Sequence, residues 1–368
     1  MRRLVLLLSA AAVVVQAFGS ARLSAQEAQR PSFSDWLAGV RAEALSRGIR
    51  PEVVDAALGN IPEPLPVVIE RDRAQAEVIE TFERYISRRV TARNTTTGRT
   101  QLERHRALLD SVSDKYGVPA PLLVGIWGIE SNYGAFTGVR PTIAALATLA
   151  WDPRRSTFFR GELFSALEIL NRGDIELAKM KGSWAGAMGQ LQFMPSSYLE
   201  FAEDYDEDGR RDIWGSHEDI FASIGNYLKG HGWDDDETWG REVKVSKDAL
   251  RLINSDVARR DGSCQAKRDM TVALPMSRWT ELGVTLPGGG ALPEAAPDAA
   301  LVSGTTRFFL VYRNYDALLD YNCAHAYALT VGLLGDAIAA TPAPAQPKAK
   351  PAPARGPARP AAAKPAQP

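Results

Sequence analysis

The sequence predicts a mainly helical fold of the α+β kind with a small β-containing part, on three observations. Apolar residues recur at helix spacing in segment after segment from Phe33 onward. Strand-forming runs are few, short and confined to about residues 240–315. Of the 368 residues, 45% are hydrophobic and 24% charged, a globular composition with room for one large domain or two smaller ones.

At the start, Arg2 and Arg3 precede an apolar stretch from Leu4 to about Ala17, followed by small residues at Gly19, Ser20, Ala21, Ser24 and Ala25. That is the pattern of an export signal, too short for a comfortable membrane span. Residues 1–25 are read as a signal peptide cut after Ala21 or Ala25, with an uncleaved anchor as the alternative. In an oxidising compartment Cys264 and Cys323 form an even pair, open to two readings: a disulfide or two buried thiols. No cysteine lies near the signal, so a lipid-anchored N-terminus is not expected and the mature protein should be soluble. The net charge of −1 offers no basic field for nucleic acid. The four histidines do not cluster with cysteine, which argues against zinc.

Residues 26–340 form the predicted folded body. Phe33, Trp36, Leu37, Val40, Ala44 and Leu45 mark a first helix, ended by Gly48, and Pro51 can open a second. Residues 62–68, PEPLPVV, read as a proline-rich connection. Further helices are expected over Ala74–Arg89, over Gln101–Tyr116 with Gly117 as stop, around Ala144–Leu149 and Leu163–Leu170, and finally over Tyr327–Ala339. The β-prone runs are Val243–Val245, Met270–Leu274 and Phe308–Tyr312, with a Gly/Pro-rich stretch at 287–298 between them. From Thr341 to Pro368 the chain turns to proline and alanine with Lys348, Lys350, Arg355, Arg359 and Lys364 and no acid. Such a composition cannot bury a core, so a disordered cationic tail is expected, either a spacer or a weak anchor to an anionic polymer.

Three stretches carry chemistry. In G-I-W-G-I-E-S-N-Y-G, Gly125–Gly134, an apolar helix opened by Pro119 and Pro121 ends on a lone carboxylate, Glu130. Ile126 and Trp127 share its face, and apolar surroundings raise a carboxyl pKa towards that of a general acid at neutral pH. A structural glutamate bonded to backbone groups is the competing reading. In K-G-S-W-A-G-A-M-G-Q-L-Q-F-M-P-S-S-Y-L, Lys181–Leu199, small residues let a ligand approach backbone. There Gln192 can both donate and accept, suiting sugar hydroxyl and acetamido groups, and Ser196 can cap the helix after Pro195. In D-Y-D-E-D-G-R-R-D, Asp204, Asp206, Asp208 and Asp212 alternate around Gly209 like an EF-hand-type calcium loop. Position twelve is Gly215 rather than glutamate. Either Asp219 closes a calcium site or the loop is a solvated acidic turn.

The Glu130 motif and the Lys181–Leu199 motif, with N-Y-L-K-G-H-G-W (Asn226–Trp233) and Y-N-C-A-H-A-Y-A-L (Tyr321–Leu329), resemble the membrane-bound lytic transglycosylase B family of murein-cleaving enzymes. The similarity runs from Phe33 to about Ile338. It implies a lysozyme-like core and non-hydrolytic cleavage of the β-1,4 bond between N-acetylmuramic acid and N-acetylglucosamine in peptidoglycan, leaving 1,6-anhydromuramoyl ends. Glu130 falls on the single catalytic position. Ser183, Gln192, Tyr227, Tyr321, Asn322, Tyr327 and Tyr85 fall on saccharide-contacting positions. Asp204, Asp206, Asp208, the Arg210 carbonyl and Asp219 fall on a structural calcium site, and no cofactor is implied for the chemistry.

Glycosidases ordinarily need two carboxyl groups. The resemblance implies that here one suffices, because the sugar's own C6 hydroxyl is the second nucleophile. Two departures from the family are visible: Ala324 stands where serine is common, and no lipid-attachment cysteine is present. The expected protein is therefore a periplasmic, monomeric enzyme acting on peptidoglycan glycan strands, with association with other cell-wall enzymes left open. The alternatives are a lysozyme-type hydrolase, which needs a second carboxylate, and a non-catalytic wall-binding protein.

Overall fold

The computed structural model describes residues 31–74 and 80–340. The signal peptide and cationic tail expected from the sequence lie outside these residues. Helix α1 (Phe33–Ser46) starts where Ser32 accepts the Asp35 N–H at 3.1 Å, and its buried face carries Phe33, Leu37, Val40 and Ala44. Helix α2 (Pro51–Leu58) opens on proline, whose missing N–H costs nothing there. The same rule moves α3 (Pro66–Ala74) into the stretch read as a connection, because Pro66 takes the first helical position.

Two expected helices start or break differently. Of the one expected over Ala74–Arg89, residues 75–79 lie outside the described residues, and the described part gives α4 (Phe82–Arg89), opened where Thr81 accepts the Arg84 N–H. The one expected over Gln101–Tyr116 is two, α5 (Ala92–Arg104) and α6 (Arg106–Tyr116). They are divided at His105, whose ring stacks on His217 at 4.3 Å and meets Trp127 edge-on. Gly117, at φ 71°, ends α6 in the left-handed conformation that glycine tolerates.

Helix α7 (Ala120–Ser131) is buried on nearly every side, from Leu122 through Ile129. After the short strand β1 (Arg140–Pro141), α8 (Thr142–Trp151) and α9 (Ser156–Arg172) enclose the expected apolar runs. Strand β2 (Lys181–Gly182) pairs antiparallel with β1. Helix α10 (Pro195–Phe201) is preceded by Met194, so Ser196 is not its cap. Ser196 instead donates its N–H and hydroxyl to Glu162 of α9, at 2.9 and 2.7 Å. Helix α11 (His217–Gly230) is capped by Ser216.

The β-containing part has its own core. Strands β3 (Gly240–Val243), β4 (Ala300–Ser303) and β5 (Phe308–Val311) form an antiparallel sheet in the order β3-β5-β4. Its apolar face packs with α12 (Lys247–Asp256) and α14 (Met276–Glu281) around a fully buried Trp279. The run Met270–Leu274, expected as a strand, makes only isolated bridges, Thr271 to Arg259 and Leu274 to Ala299. Helices α15 (Asn314–Tyr321) and α16 (His325–Ala339) return to the body. Cys264 and Cys323 are joined in a disulfide, Cα atoms 6.2 Å apart, which pins the segment before the short helix α13 (Gln265–Asp269) to the turn between α15 and α16. Among the described residues no helix is long and apolar enough to cross a membrane.

Candidate active site

Helices α7 and α16 approach backbone to backbone. A Cβ on Gly125 would lie 3.3 Å from the Gly335 N and from the Val331 carbonyl oxygen, so the contact depends on bare glycine. This close seam sets Tyr327, in the first turn of α16, against Glu130, in the last turn of α7. Immediately after Glu130 the helix stops, with Asn132 and Tyr133 both left-handed at φ 53° and 59°. The Ser131 hydroxyl accepts the Gly134 N–H at 3.0 Å and donates to the Trp127 carbonyl. The chain therefore turns away and leaves the carboxylate half-buried at the end of the helix.

Burial pushes the Glu130 pKa up to about 7, against the Tyr327 hydroxyl and then the Arg89 guanidinium, which favour the charged form. Tyr327 is 4% exposed, and its hydroxyl makes no well-formed hydrogen bond, so its contact with Glu130 is a loose one. Tyr85 also feels the carboxylate, and Arg89 lies 5.5 Å above its ring one helical turn on. Tyr321 stacks on Tyr327 at 6.0 Å and donates to the Leu191 carbonyl at 2.9 Å. Burial, with Glu130 nearby, holds the Tyr321 and Tyr327 hydroxyls well above the usual phenol range. They are donors at every physiological pH.

The other residues expected to contact sugar are held as follows. Tyr227 packs on Tyr321 at 4.7 Å, but its hydroxyl is spent on the Asp320 carbonyl, which leaves it as wall rather than donor. Gln192, left-handed at φ 52°, donates its amide to the Gly189 and Thr137 carbonyls at 2.9 and 3.1 Å and keeps Oε1 as acceptor. The Ser183 hydroxyl accepts the N–H groups of Ala185 and Ala187, so its own proton remains to be donated. The loop after α7 reaches Ser183 directly: a Cβ on Gly138 would lie 2.7 Å from its backbone N. Asn322 is exposed at the end of α15.

Trp127, expected beside Glu130, has another task. It is 2% exposed and donates its indole N–H to Gln190 Oε1 at 2.7 Å, while Gln190 donates to the Trp214 carbonyl. Gln190 thereby ties α7 to the segment before α11. Sequence reasoning singled out neither this role nor Arg89. The Arg89 signal was its place four residues after Tyr85; Gln190 stands out only as one of the interleaved polar groups of the Lys181–Leu199 stretch.

In the acidic loop, Asp204, Asp206 and Asp219 bring carboxylate oxygens within 4.8 Å of one another. Asp204 Oδ1 is buried without a hydrogen-bond partner. Asp219 accepts the Tyr205 and Asp212 N–H groups at 2.7 Å each, and burial, aided by the charge of Asp206, pushes its pKa up to about 6. An orphaned carboxylate oxygen among crowded acids fits a hard dication. Asp208 stands apart from this cluster in an exposed pair with Arg210, whose N–H also donates to Asp208.

Residues 32–336 match the model of the transglycosylase SLT domain family. The chain is similar to membrane-bound lytic murein transglycosylase B of Escherichia coli K12, at 31% identity over 260 residues, 70% of this chain and 67% of that protein. It is similar to the structure of SltB3 from Pseudomonas aeruginosa in complex with NAG-anhNAM-pentapeptide, with TM-score 0.75 and 38% identity over 83% of this chain and 79% of the other. It is also similar to the Escherichia coli lytic transglycosylase SLT35 in complex with calcium, with TM-score 0.68 and 26% identity over 84% and 93% of the two chains. The helical body and the small antiparallel sheets agree with these likenesses, and the chain belongs to the transglycosylase SLT domain family of lytic murein transglycosylases.

Proposed function

We propose that Glu130 is the only acid and base of the reaction, which cuts the β-1,4 bond between N-acetylmuramic acid and N-acetylglucosamine. Protonated Glu130 gives its proton to the bridging oxygen as the C1–O bond breaks. The resulting carboxylate then takes the C6 hydroxyl proton while that oxygen bonds to C1, and no water is consumed. The observation that carries this reading is the set of influences on Glu130 among the described residues: burial, Tyr327 and Arg89, with no second carboxylate. A hydrolase of the lysozyme kind needs one close by.

Ser183, Gln192, Tyr321, Asn322, Tyr327 and Tyr85 supply donors, acceptors and ring faces suited to amino-sugars, with Tyr227 behind them. Asp204, Asp206 and Asp219 would hold a structural calcium ion, which has no part in the chemistry. The export-signal pattern of residues 1–25 and a murein substrate both support a periplasmic site of action. Mass spectrometry of products from purified murein tests the reaction. Ends lighter by one water than hydrolysed ends are expected, and reducing ends would overturn the assignment.

A further inference from the structure

The β-containing part supplies none of the groups that act on Glu130, yet it grips the helix that supplies Arg89. Helix α4 carries Tyr85 and Arg89 four residues apart, and so on one face. It is eight residues long, lies on α16 and buries a single side chain, Ile86. A helix that short is marginal by itself, and so little burial fixes its placement weakly. Where Tyr85 and Arg89 sit is therefore decided by what holds the two ends.

At the C-terminal end the Asn94 side-chain amide donates to the Arg89 carbonyl at 2.7 Å. At the other end Glu83 Oε1 accepts two N–H groups of the turn between β4 and β5, Thr305 at 2.6 Å and Thr306 at 3.0 Å. Gly304 opens that turn, and a Cβ on it would overlap the Phe82 ring and the Glu83 carboxylate. Turn and helix thus meet as closely as bare glycine allows. Phe82 also meets Phe309 of β5 edge-on at 6.1 Å. The turn is itself anchored to the sheet. Arg307 holds Glu242 of β3 in a two-pronged pair at 2.7 Å and lies 5.0 Å over the Phe309 ring. Burial opposes charge on Glu83, but the N–H groups of Thr306, Glu83 itself, Thr305 and Arg307 hold its carboxyl below the ordinary value.

We propose that Glu83 is a positioning residue for the cleavage reaction: seated on the β4–β5 turn, it fixes the start of α4 and so holds Arg89 and Tyr85 at Glu130. The proposal rests on the reading of Glu130 as acid and base. Glu83 is not itself among the groups that act on that carboxyl, and it works through the helix. The sheet, with a core of its own, thereby becomes part of the frame of the active site.

The test follows the titration of the Glu130 carboxyl by carbon-13 NMR in the full chain. It is read without turnover, so it stands even if the products disprove Glu130 as sole acid and base. Arg89→Met is expected to raise the midpoint, since it removes a charge that favours the carboxylate. With Glu83→Ala in place, the same Arg89→Met change should raise it by less than about half as much, because Arg89 is no longer held there. With Glu83→Gln, whose amide oxygen can still accept both N–H groups, most of the shift should remain. Should Glu83→Ala fail to fold, Gly304→Ala, which forces the turn off α4 from the other side, is read in its place. On murein, Glu83→Ala should lower kcat/KM by about tenfold, and by less than about threefold once Tyr85→Phe and Arg89→Met are both present. An undiminished Arg89→Met shift in Glu83→Ala would make Glu83 a mere fastener and overturn the proposal. So would the absence of any Arg89→Met shift in the otherwise unaltered chain, or Glu83→Ala losses that add in full to those of Tyr85→Phe and Arg89→Met.

Discussion

Tyr327 faces the carboxyl of Glu130 from a helix whose backbone touches the Glu130 helix at Gly125 and Gly335. The relationship joins packing to chemistry. Two bare glycines bring the helices together, and the approach places a buried phenol, held well above the usual phenol range, beside a carboxyl raised to about 7. The phenol favours the charged carboxylate while burial disfavours it. The balance leaves Glu130 near pKa 7, where both halves of an acid-then-base cycle are accessible.

Glu130→Gln should keep the fold and lower murein cleavage by at least about a thousandfold, since the amide can neither give nor take the proton. The change should also stabilise the protein at alkaline pH. The folded carboxyl titrates near 7 rather than at its ordinary 4.5, so the native state holds its proton longer than the unfolded chain. Wild-type stability from this group is therefore complete below about pH 4.5 and is lost as pH rises through 7, by up to about 3 kcal/mol. Zymography and urea melts at pH 5 and pH 8 check both expectations. Wild type and variant losing equal stability between those two pH values would contradict the assigned environment.

Tyr327→Phe should move the alkaline limb of the pH–kcat/KM profile upward, because it removes the group that most favours the Glu130 carboxylate. Arg89→Met should move it in the same direction by a smaller amount. A rate lowered equally at every pH would show that Tyr327 only supports the packing.

Much of the helical body is legible in the sequence itself. The sequence signal at Glu130 is local: an apolar helix, an abrupt Ser-Asn-Tyr-Gly stop and one charge. The helix break at His105 was not readable, because it follows from ring contacts with His217 and Trp127, residues more than 20 positions away or contributed by another helix. Trp127 shares a helix face with Glu130 by its spacing, but that Gln190 takes its indole N–H is a tertiary choice that spacing does not encode. Ser196 read as a cap for a good local reason, and a buried glutamate from α9 outbid the helix end for it.

Replacing Cys264 and Cys323 together by alanine should destabilise the fold. The bridge closes a sequence separation of 59 residues, for which chain entropy gives about 4 kcal/mol. Cys323 also sits between Tyr321 and Tyr327, so the turn that presents both rings should loosen. Calorimetry is expected to show a lower melting temperature in the variant and no further drop on adding dithiothreitol. Wild type should fall to the variant's value when reduced.

Calcium should raise the melting temperature without changing the rate of a saturated reaction. A ligand held only by the native state stabilises it by mass action, by about 2.7 kcal/mol at a hundred times its Kd. Asp206→Ala is the cleaner test, because Asp206 belongs to the carboxylate cluster, whereas Asp219 also anchors the Tyr205 and Asp212 N–H groups and its loss would unsettle the loop with or without metal. Magnesium should substitute poorly, since it demands a tighter octahedral shell. Binding must displace the proton that burial helps Asp219 retain, so the calcium effect should weaken as pH falls below about 6. Asp208→Ala should weaken the response less than Asp206→Ala, because Asp208 must first leave its exposed pair with Arg210 to reach the ion. Thermal melts with chelator, calcium or magnesium, at pH 5 and pH 7.5, measure each of these. Identical melts under all three additions would make the loop a solvated acidic turn.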